Sequence, residues 1–391
     1  MPSSILVHPS RRTVLGAGAA AFAAQFVRTG RAQQSRASGS LYAYVGCYTS
    51  EKRHARGDGI HVYRVDAETG AWTHIQRVGD LVNPSFLVMS RDGRFLYSVH
   101  GDETYATAFS VDPATGQLTV LNRAATGGSN GVHHAIDPTG RFLIVANYGS
   151  GTVAVMPIHP DGTLADAAQV TPLKGTPGPN RTEQAASHPH HIVFDRTGKF
   201  VVVPDKGLDR VFTFGFDSTG GRLIPTTQGC VAARPGSGPR HAAFHPTLPI
   251  LWVLNEIGSS VTTYYWEAEH AGLRPVRILP TLPSDYVGEN ASAEIAVSPG
   301  GKFVYCSNRG HDSIAIFAAD PEGMLTPAGW AKSQGKTPRF ITFDPAGRQF
   351  YCANEQADTI VPFRQDSATG GLTPAGQPVK NASAVAIAFG G

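Results

Sequence analysis

A phrase that recurs six times along the chain constrains its fold more than any other feature. Each copy has an apolar run, a turn of the Asp-Pro-x-Gly-Arg type, and a second apolar run that ends in Asn in most copies. The turns begin at residues 90, 137, 195, 245, 298 and 344, so successive copies lie 46 to 58 residues apart. A repeat of that length, built from short alternating runs, is typical of one four-stranded propeller blade.

Six copies predict six blades, and the remaining segments supply a seventh. Strands two, three and four of that blade are predicted at Leu41–Tyr48, Gly59–Val65 and Trp72–Val78, and its first strand at Ser383–Phe389. We therefore predict an all-β fold: a seven-bladed β-propeller of four-stranded antiparallel blades, closed by pairing the N- and C-terminal strands in one blade. Closure removes an exposed sheet edge. An open β-sandwich is the alternative, but it does not account for six regular repeats.

The first 32 residues have the pattern of a twin-arginine signal peptide. Arg11 and Arg12 precede an apolar run, Val14–Val27, and Ala32 is a small residue at the expected cleavage junction. The run is too short to span a bilayer as a stable helix, and a twin-arginine signal directs export of a folded protein. A tail that contains two arginines by chance is the alternative. We predict a periplasmic or secreted protein with three parts: a signal peptide at 1–32, a linker at 33–40 and one propeller domain at 41–391.

The composition fits a globular protein without a polyanionic partner. Of the 391 residues, 41% are hydrophobic and 16% are charged, and the net charge is only +3. This balance excludes disorder and gives no nucleic-acid or membrane footprint, so we expect neither partner. We also expect a monomer without a cofactor. The four cysteines lack the close spacing of a zinc site, so no metal is expected. Cys306 and Cys352 share a strand position in successive repeats and are predicted to be buried free thiols.

Two positions of every repeat meet at one mouth of the central channel, because neighbouring strands of a blade run antiparallel. Five residues before each turn stand Ser85, Val132, His190, Arg240, Ala293 and Arg339. The next residues in the chain are Phe86, His133, His191, His241, Glu294 and Phe340. Ten residues after the start of each turn stand His100, Asn147, Asp205, Asn255, Asn308 and Asn354. These are followed by Gly101, Tyr148, Lys206, Glu256, Arg309 and Glu355.

Four of these residues are candidates for function and not for packing. Charged groups are costly to bury unless they are paired or functional, and a structural ring does not need them. We expect these four residues to lie at a solvent-filled mouth of the central channel: His190, Arg240, Glu256 and Arg309. The recurring Asn has a structural interpretation as a turn former. His133, His191 and His241 are one residue out of register with His190, so packing between blades and a place in the channel both remain open for them.

The residue types suit hydrolysis of an ester. A His can act as general base toward water because its pKa lies near neutrality, and a Glu can orient that His or share its proton. An Arg can stabilise the oxyanion that forms when water adds to a ring carbonyl, or it can hold an anionic substrate.

Several phrases together resemble the seven-bladed lactonase family, which includes a bacterial 6-phosphogluconolactonase and a fungal carboxy-cis,cis-muconate cyclase. The phrases are His188–His191, Gly238–Pro246, Asn255-Glu256, Ala293–Ile295 and Ser307–Gly310, and the likeness covers the chain from about Leu41 onward. By motif position, the resemblance implies that the catalytic residues are His190, Arg240, Glu256 and Arg309. The neighbouring residues expected to contact the substrate are His188, His241, Glu294, Asn308, Arg339 and Asp205. Cytosolic members carry an apolar residue at the position of Lys206, so this lysine is a departure.

The resemblance and the leader together predict an exported lactonase. Its expected partner is a sugar-derived lactone, similar to gluconolactone or 6-phosphogluconolactone, and export argues against the phosphorylated form. Three alternatives remain open at this point. One is a muconate-type cyclase that forms a lactone, and another is a non-catalytic propeller that binds a protein or glycan. The third is a metal-dependent lactonase, since the mouth offers oxygen ligands that suit Ca²⁺, although the arginine pair argues against a bound cation.

Overall fold

Residues 40–66 and 68–391 are described by the computed structural model. They contain 29 β-strands and one short 3₁₀ helix, Glu51–Arg53, so the all-β prediction is confirmed. The predicted signal peptide and nearly all of the predicted linker lie outside the described residues. Within the described part of the chain, we find no helix that combines the length and the apolar character needed to cross a membrane.

The strands form seven separate sheets, one for each blade. The closing blade has β1 Leu41–Cys47, β2 Ile60–Val65, β3 Trp72–Val78 and, from the far end of the chain, β29 Ala384–Gly390. Blades 1 and 2 comprise β4 Pro84–Met89, β5 Phe95–His100, β6 Tyr105–Val111, β7 Leu118–Ala125, β8 Gly131–Ile136, β9 Phe142–Asn147, β10 Thr152–Pro157 and β11 Gln169–Pro172. Blades 3 and 4 comprise β12 Val193–Phe194, β13 Phe200–Asp205, β14 Arg210–Asp217, β15 Arg222–Ala232, β16 Pro239–Phe244, β17 Ile250–Asn255, β18 Ser260–Glu267 and β19 Gly272–Pro280. Blades 5 and 6 comprise β20 Ala291–Val297, β21 Phe303–Arg309, β22 Ser313–Ala319, β23 Leu325–Lys332, β24 Pro338–Phe343, β25 Phe350–Asn354, β26 Thr359–Gln365, β27 Leu372–Pro374 and β28 Val379–Lys380.

The closing blade joins the two ends of the domain as predicted. Strand β29 pairs antiparallel with β1, so that Tyr44 lies opposite Ala388 and Val45 lies opposite Ile387. The backbone N–H of Tyr48 extends the pairing by donating to the carbonyl of Ser383 at 3.0 Å. The sheet order β29-β1-β2-β3 therefore leaves no blade without its innermost strand.

The recurring turn works through the side chain of its first residue. In blade 2, Asp137 Oδ1 accepts the backbone N–H groups of Arg141 and Phe142 at 2.8 Å each, and Gly140 takes a left-handed φ of 73°. A carboxylate that accepts nearby backbone N–H groups stabilises a turn of this kind. In the degenerate fourth copy, His245 takes the place of the aspartate, and its Nδ1 accepts the N–H of Leu248 at 2.8 Å.

The apolar core lies between neighbouring blades. In one interface, Trp252 of blade 4 packs in a cluster with Cys306 and Phe317 of blade 5, and all three are at most 1% exposed. Cys306 and Cys352 are buried free thiols, as predicted. Burial raises the pKa of both thiols, so they remain protonated and unreactive at neutral pH.

Candidate active site

One irregularity recurs at the start of the innermost strand in six of the seven blades. In blade 4, Pro239 lies opposite Asn255 and His241 opposite Leu254, so Arg240 is an extra residue in the pairing. The same β-bulge makes Arg339 the extra residue in blade 6. A bulge turns the side chains around it away from strict alternation. Two consecutive residues of one strand therefore both face the channel.

Consecutive pairs of residues accordingly line a narrow cavity at the axis of the ring. The lining residues include Ser85 with Phe86, Arg240 with His241, and Arg339 with Phe340. The bulge residue Arg240 forms an outer layer with Lys206, Glu256 and Arg309, which stand at the ends of second strands. The residues after the bulges, such as His241, form a second layer. The open question about His241 is thereby answered, because this side chain lies in the channel and not between blades.

Glu256 is the centre of the outer layer. Its Oε1 lies 2.9 Å from Lys206 Nζ and 3.3 Å from Arg309 Nη2, and its Oε2 lies 2.8 Å from Arg240 Nε. The contact with Arg240 is an ion pair whose angle does not make it a hydrogen bond. Burial alone would raise the pKa of Glu256, but Arg309, Lys206 and Arg240 together hold it well below its ordinary value. Glu256 is therefore ionised at neutral pH.

Lys206 connects this cluster to a loop that sequence reasoning did not single out. Its Nζ lies 2.5 Å from Glu183 Oε2, and Glu183 belongs to the long connection between β11 and β12. Burial would lower the pKa of Lys206, but Glu256 and Tyr148 keep it raised, so the lysine is charged. Glu183 lies in a loop outside the repeat, so no register argument could have found it.

The mouth is more enclosed than expected. The exposed fraction is 3% for Arg240, 6% for His190 and 8% for Glu256. Arg240 also donates through Nη1 to the carbonyl of Ala293, which ties the guanidinium to blade 5. Burial lowers the pKa of Arg240 to about 10, which still leaves it charged at neutral pH. The predicted solvent-filled mouth is thus a nearly dry cluster, and a dry setting strengthens each charge interaction in it.

His190 lies beside this cluster as a neutral imidazole. The ring of Tyr148 contacts that of His190 edge-on, with centroids 5.5 Å apart. The ring of His188 stacks on that of Tyr148, with centroids 4.2 Å apart. Burial lowers the pKa of His190 well below its ordinary value, and Arg240 and His241 add to the effect. A neutral imidazole can accept a proton at pH 7.

The second layer is a chain of aromatic rings that ends in a carboxyl group. Ring centroids are 3.9 Å apart from Phe86 to His133, 3.9 Å from His133 to His191 and 4.5 Å from His191 to His241. His241 Nδ1 then lies 2.7 Å from Glu294 Oε1. Burial raises the pKa of Glu294 to about 7, against the opposing effect of Arg240.

Arg339 stands at the edge of the cluster. Its guanidinium carbon lies 4.9 Å from the ring centroid of Tyr48, and its Nη1 lies 3.8 Å from Glu355 Oε2. Burial would lower the pKa of Arg339, but Tyr48 and Glu355 outweigh it and raise the value. Tyr48 is a further residue that the register argument missed, because it belongs to the closing blade, which has no recurring turn.

Two of the residues expected to contact the substrate form hydrogen bonds within the protein instead. Asp205 Oδ1 accepts the backbone N–H groups of His188, Gly207 and Leu208 at 2.9 Å each, and its exposed fraction is 0%. Asn308 is equally buried, and its amide donates to the carbonyl of Thr281 at 2.9 Å. These two side chains hold the backbone that carries their neighbours in the chain, Lys206 and Arg309.

The segment Gly127–Gly131 has the Gly-x-Ser-x-Gly spacing of a nucleophilic serine turn, but it lacks the structural setting. Ser129 lies in the loop between β7 and β8, and a strand follows it where a helix would be required. Within residues 40–66 and 68–391, no three His, Cys, Asp or Glu side chains are arranged to hold a metal ion. The chemistry available here is that of a neutral imidazole beside a buried group of cations.

Known proteins are similar to this chain in both sequence and fold. The family model described as "Lactonase, 7-bladed beta-propeller" matches residues 42–389. A Bacillus subtilis protein named 6-phosphogluconolactonase is 30% identical over 333 residues, which is 84% of this chain and 93% of the relative. A protein of the same name from Formosa agariphila is 30% identical over 338 residues, with 84% and 94% covered.

A solved structure adds a comparison of the fold. The periplasmic gluconolactonase PpgL of Pseudomonas aeruginosa is 30% identical and superposes with a TM-score of 0.81, covering 90% of this chain and 99% of that one. The family match spans nearly all of the described residues, and two relatives at 30% identity carry the name of a lactone-hydrolysing enzyme. This chain therefore belongs to the seven-bladed β-propeller lactonase family of ester-hydrolysing enzymes.

Proposed function

We propose that this protein is a periplasmic lactonase that opens the ring ester of a sugar-derived lactone. Two observations support the location: the twin-arginine pattern at Arg11 and Arg12, and the likeness to a periplasmic gluconolactonase. A gluconolactone-type substrate without a phosphate group fits that compartment. The catalytic group in this proposal comprises His190, Arg240, Glu256 and Arg309.

The observation that carries the proposal is the placement of Glu256 among three cations, near the neutral His190. Lys206 and Arg240 are buried, and Arg309 is partly exposed. The three cations Lys206, Arg240 and Arg309 are paired with only two carboxylates, Glu256 and Glu183, which leaves a local excess of positive charge. Such an excess stabilises the negative charge that develops on a carbonyl oxygen when water adds to it. A nearly dry setting makes this stabilisation larger than it would be in water.

Each of the four residues then has a separate role. His190 accepts the proton of the attacking water, because it is neutral at the working pH. Arg240 and Arg309 stabilise the oxyanion or hold a polar group of the lactone. Glu256 fixes the directions of the two guanidinium groups. It does not act as a base, because its two oxygens are already paired with Lys206, Arg240 and Arg309.

The test is a hydrolysis assay on the purified domain, residues 33–391, with a panel of lactones. The panel contains glucono-1,5-lactone, its 6-phosphate and a simple aliphatic lactone, each corrected for spontaneous opening. We expect turnover of the neutral sugar lactone that is unchanged by a chelator. Absence of turnover on every lactone would contradict the proposal, and loss of activity with the chelator would instead support metal-assisted hydrolysis.

A further inference from the structure

A carboxyl group and an imidazole form a buried pair beneath the cluster around Glu256. Glu294 Oε1 lies 2.7 Å from His241 Nδ1 and also accepts the backbone N–H of Ile295 at 3.0 Å. The two side chains are 8% and 3% exposed, so neither meets bulk solvent. The bulge in β20 holds Glu294 in this position, and its own N–H donates to Ser307 Oγ at 3.0 Å. A carboxylate on Nδ1 fixes the tautomer of an imidazole and leaves Nε2 free to accept a proton.

Three buried ring nitrogens within and beside this pair have no hydrogen-bond partner: Nε2 of His241, Nδ1 of His190 and Nδ1 of His191. The ring centroid of His241 lies 5.2 Å from that of His190 and 4.5 Å from that of His191. Of these two neighbours, His190 is the one close to both Arg240 and Lys206 of the cluster around Glu256. An unpaired buried nitrogen is costly, so three of them on neighbouring rings require an explanation. At this spacing, a small rotation of the rings or a single water molecule can join those of His190 and His241, with one nitrogen donating and the other accepting.

We propose that His190, His241 and Glu294 form a proton relay that carries the proton of the attacking water away from the lactone. This inference rests on the proposed lactonase function. His190 touches the water and is the catalytic residue, whereas His241 and Glu294 act through it.

The relay balances in protons and bonds. His190 takes a proton from water on one ring nitrogen and releases the proton of its Nδ1 to Nε2 of His241. His241 releases the proton of its Nδ1 to the Glu294 carboxylate. The resulting hydroxide forms the new bond to the carbonyl carbon. The ring C–O bond then breaks, and the proton returns along the same path to the leaving alkoxide. One water is consumed, the product is the hydroxy acid, and Glu294 ends ionised again.

The charges around the relay favour this route over a charged imidazole. Burial, Arg240 and His241 hold the pKa of His190 low, and burial, Arg240 and Arg339 hold that of His241 low. A relay that passes one proton on while it accepts another leaves both rings neutral throughout. The proton then rests on a carboxylate whose pKa burial raises to about 7.

Glu294 is surrounded by several titratable and charged groups. Arg240 and His241 face it from β16, Arg339 from β24, His191 from the segment before β12, and Cys306 from β21. Arg240, Arg339 and an ionisable His191 lower its pKa, so burial is the effect that raises it to about 7. Glu294 must be ionised to accept the proton, so the rate should increase with pH through about 7.

The experiment compares four proteins on the lactone that the wild type hydrolyses, between about pH 5.5 and 8. Glu294→Gln keeps a hydrogen-bonding side chain but cannot take up a proton. Glu294→Asp restores the carboxyl group. Glu322→Gln is the matched control, because it makes the same change from carboxyl to amide in the exposed turn between β22 and β23.

We expect the wild type and Glu322→Gln to share one inflection near pH 7 and a curved dependence of rate on the fraction of D₂O. Glu294→Gln should lose about 10²-fold in kcat with little change in KM, lose the inflection and give a linear D₂O dependence. Glu294→Asp should recover part of the rate with a shifted inflection, and it serves as the test if Glu294→Gln does not fold. A Glu294→Gln enzyme with the pH profile and D₂O curve of the wild type would overturn the relay while leaving the lactonase proposal intact. A wild type that hydrolyses no lactone would overturn the proposed function itself.

Discussion

Lys206 and Glu256 lie on neighbouring blades, 50 residues apart in sequence, and their charged atoms meet at 2.9 Å in a nearly dry pocket. The lysine also joins the cluster around Glu256 to the loop of Glu183. Glu183 is 47% exposed, whereas the side chain of Lys206 is 5% exposed. The two ion pairs made by the same ammonium group should therefore differ in their contribution to stability.

Replacing Lys206 should destabilise the fold far more than replacing Glu183. Lys206→Met removes one of three cations from a buried carboxylate, a class of change that costs up to roughly 3–5 kcal/mol when no partner remains, and less here because two arginines stay. Glu183→Gln removes a half-exposed partner worth about 0–1 kcal/mol. Urea unfolding of both variants measures the difference. Equal losses would show that the pocket is more hydrated than its burial indicates.

Acid should destabilise the protein through its buried histidines. The pKa of His133 is held well below its ordinary value by burial and by His191 and His241. A lowered pKa in the folded state gives stability that is present above about pH 6.5 and is lost as pH falls, because only the unfolded chain takes up the proton there. His133→Phe should remove one such proton and reduce the slope of unfolding free energy against pH, below pH 6.5, by about 1.4 kcal/mol per unit. Urea titrations at a series of pH values give that slope, and an unchanged slope would contradict the assignment.

Removal of the last strand should weaken the whole ring. Deletion from Ser383 onward takes away β29, and with it the inner partner of β1 and the buried side chains of Val385 and Ile387. The exposed edge and the lost apolar contacts act on both neighbouring blades. A calorimetric melt should move to lower temperature as one transition, while deletion of Gly391 alone should leave it unchanged. A truncated protein with the melt of the intact domain would mean that the ring does not depend on this closure.

The repeat made the fold predictable, because every blade uses the same turn and the same alternation of apolar residues. The register of the repeat also predicted that His190, Arg240, Glu256 and Arg309 lie close together, and in the structure they do. The register did not predict which side chains line the channel where the backbone departs from regular pairing. The bulge at Arg240 places His241 in the channel as well, and strict alternation gives no sign of it.

Contacts made by residues outside the repeat could not be predicted from the register either. Glu183 enters from a loop and Tyr48 from the closing blade, so neither shares a position with the residues that the register compares. Burial was misjudged for a physical reason. A charged residue at the end of a strand was expected to meet solvent, yet Lys206 and Arg240 are both paired with Glu256 and are enclosed with it.

The exchange of His190 for Gln tests the proposed base. His190→Gln preserves the size and polarity of the side chain but cannot accept a proton, so kcat should fall by about 10²–10⁴. Folding should be retained, because the neutral ring carries no charge that another group must balance. A circular dichroism melt beside the assay separates the two effects. A variant that keeps both its fold and its rate would place the base elsewhere.

The most direct test of the account is the turnover number of Arg240→Gln on the lactone that the wild type hydrolyses. Arg240 pairs with Glu256 and is tied to Ala293, so its charge is fixed where an oxyanion would form. Arg274→Gln, an exposed arginine on the outer strand β19, is the control. The account predicts a fall of about 10²–10³ in kcat for Arg240→Gln and none for Arg274→Gln, with both proteins folded. A folded Arg240→Gln protein that turns over the lactone at the wild-type rate would contradict it.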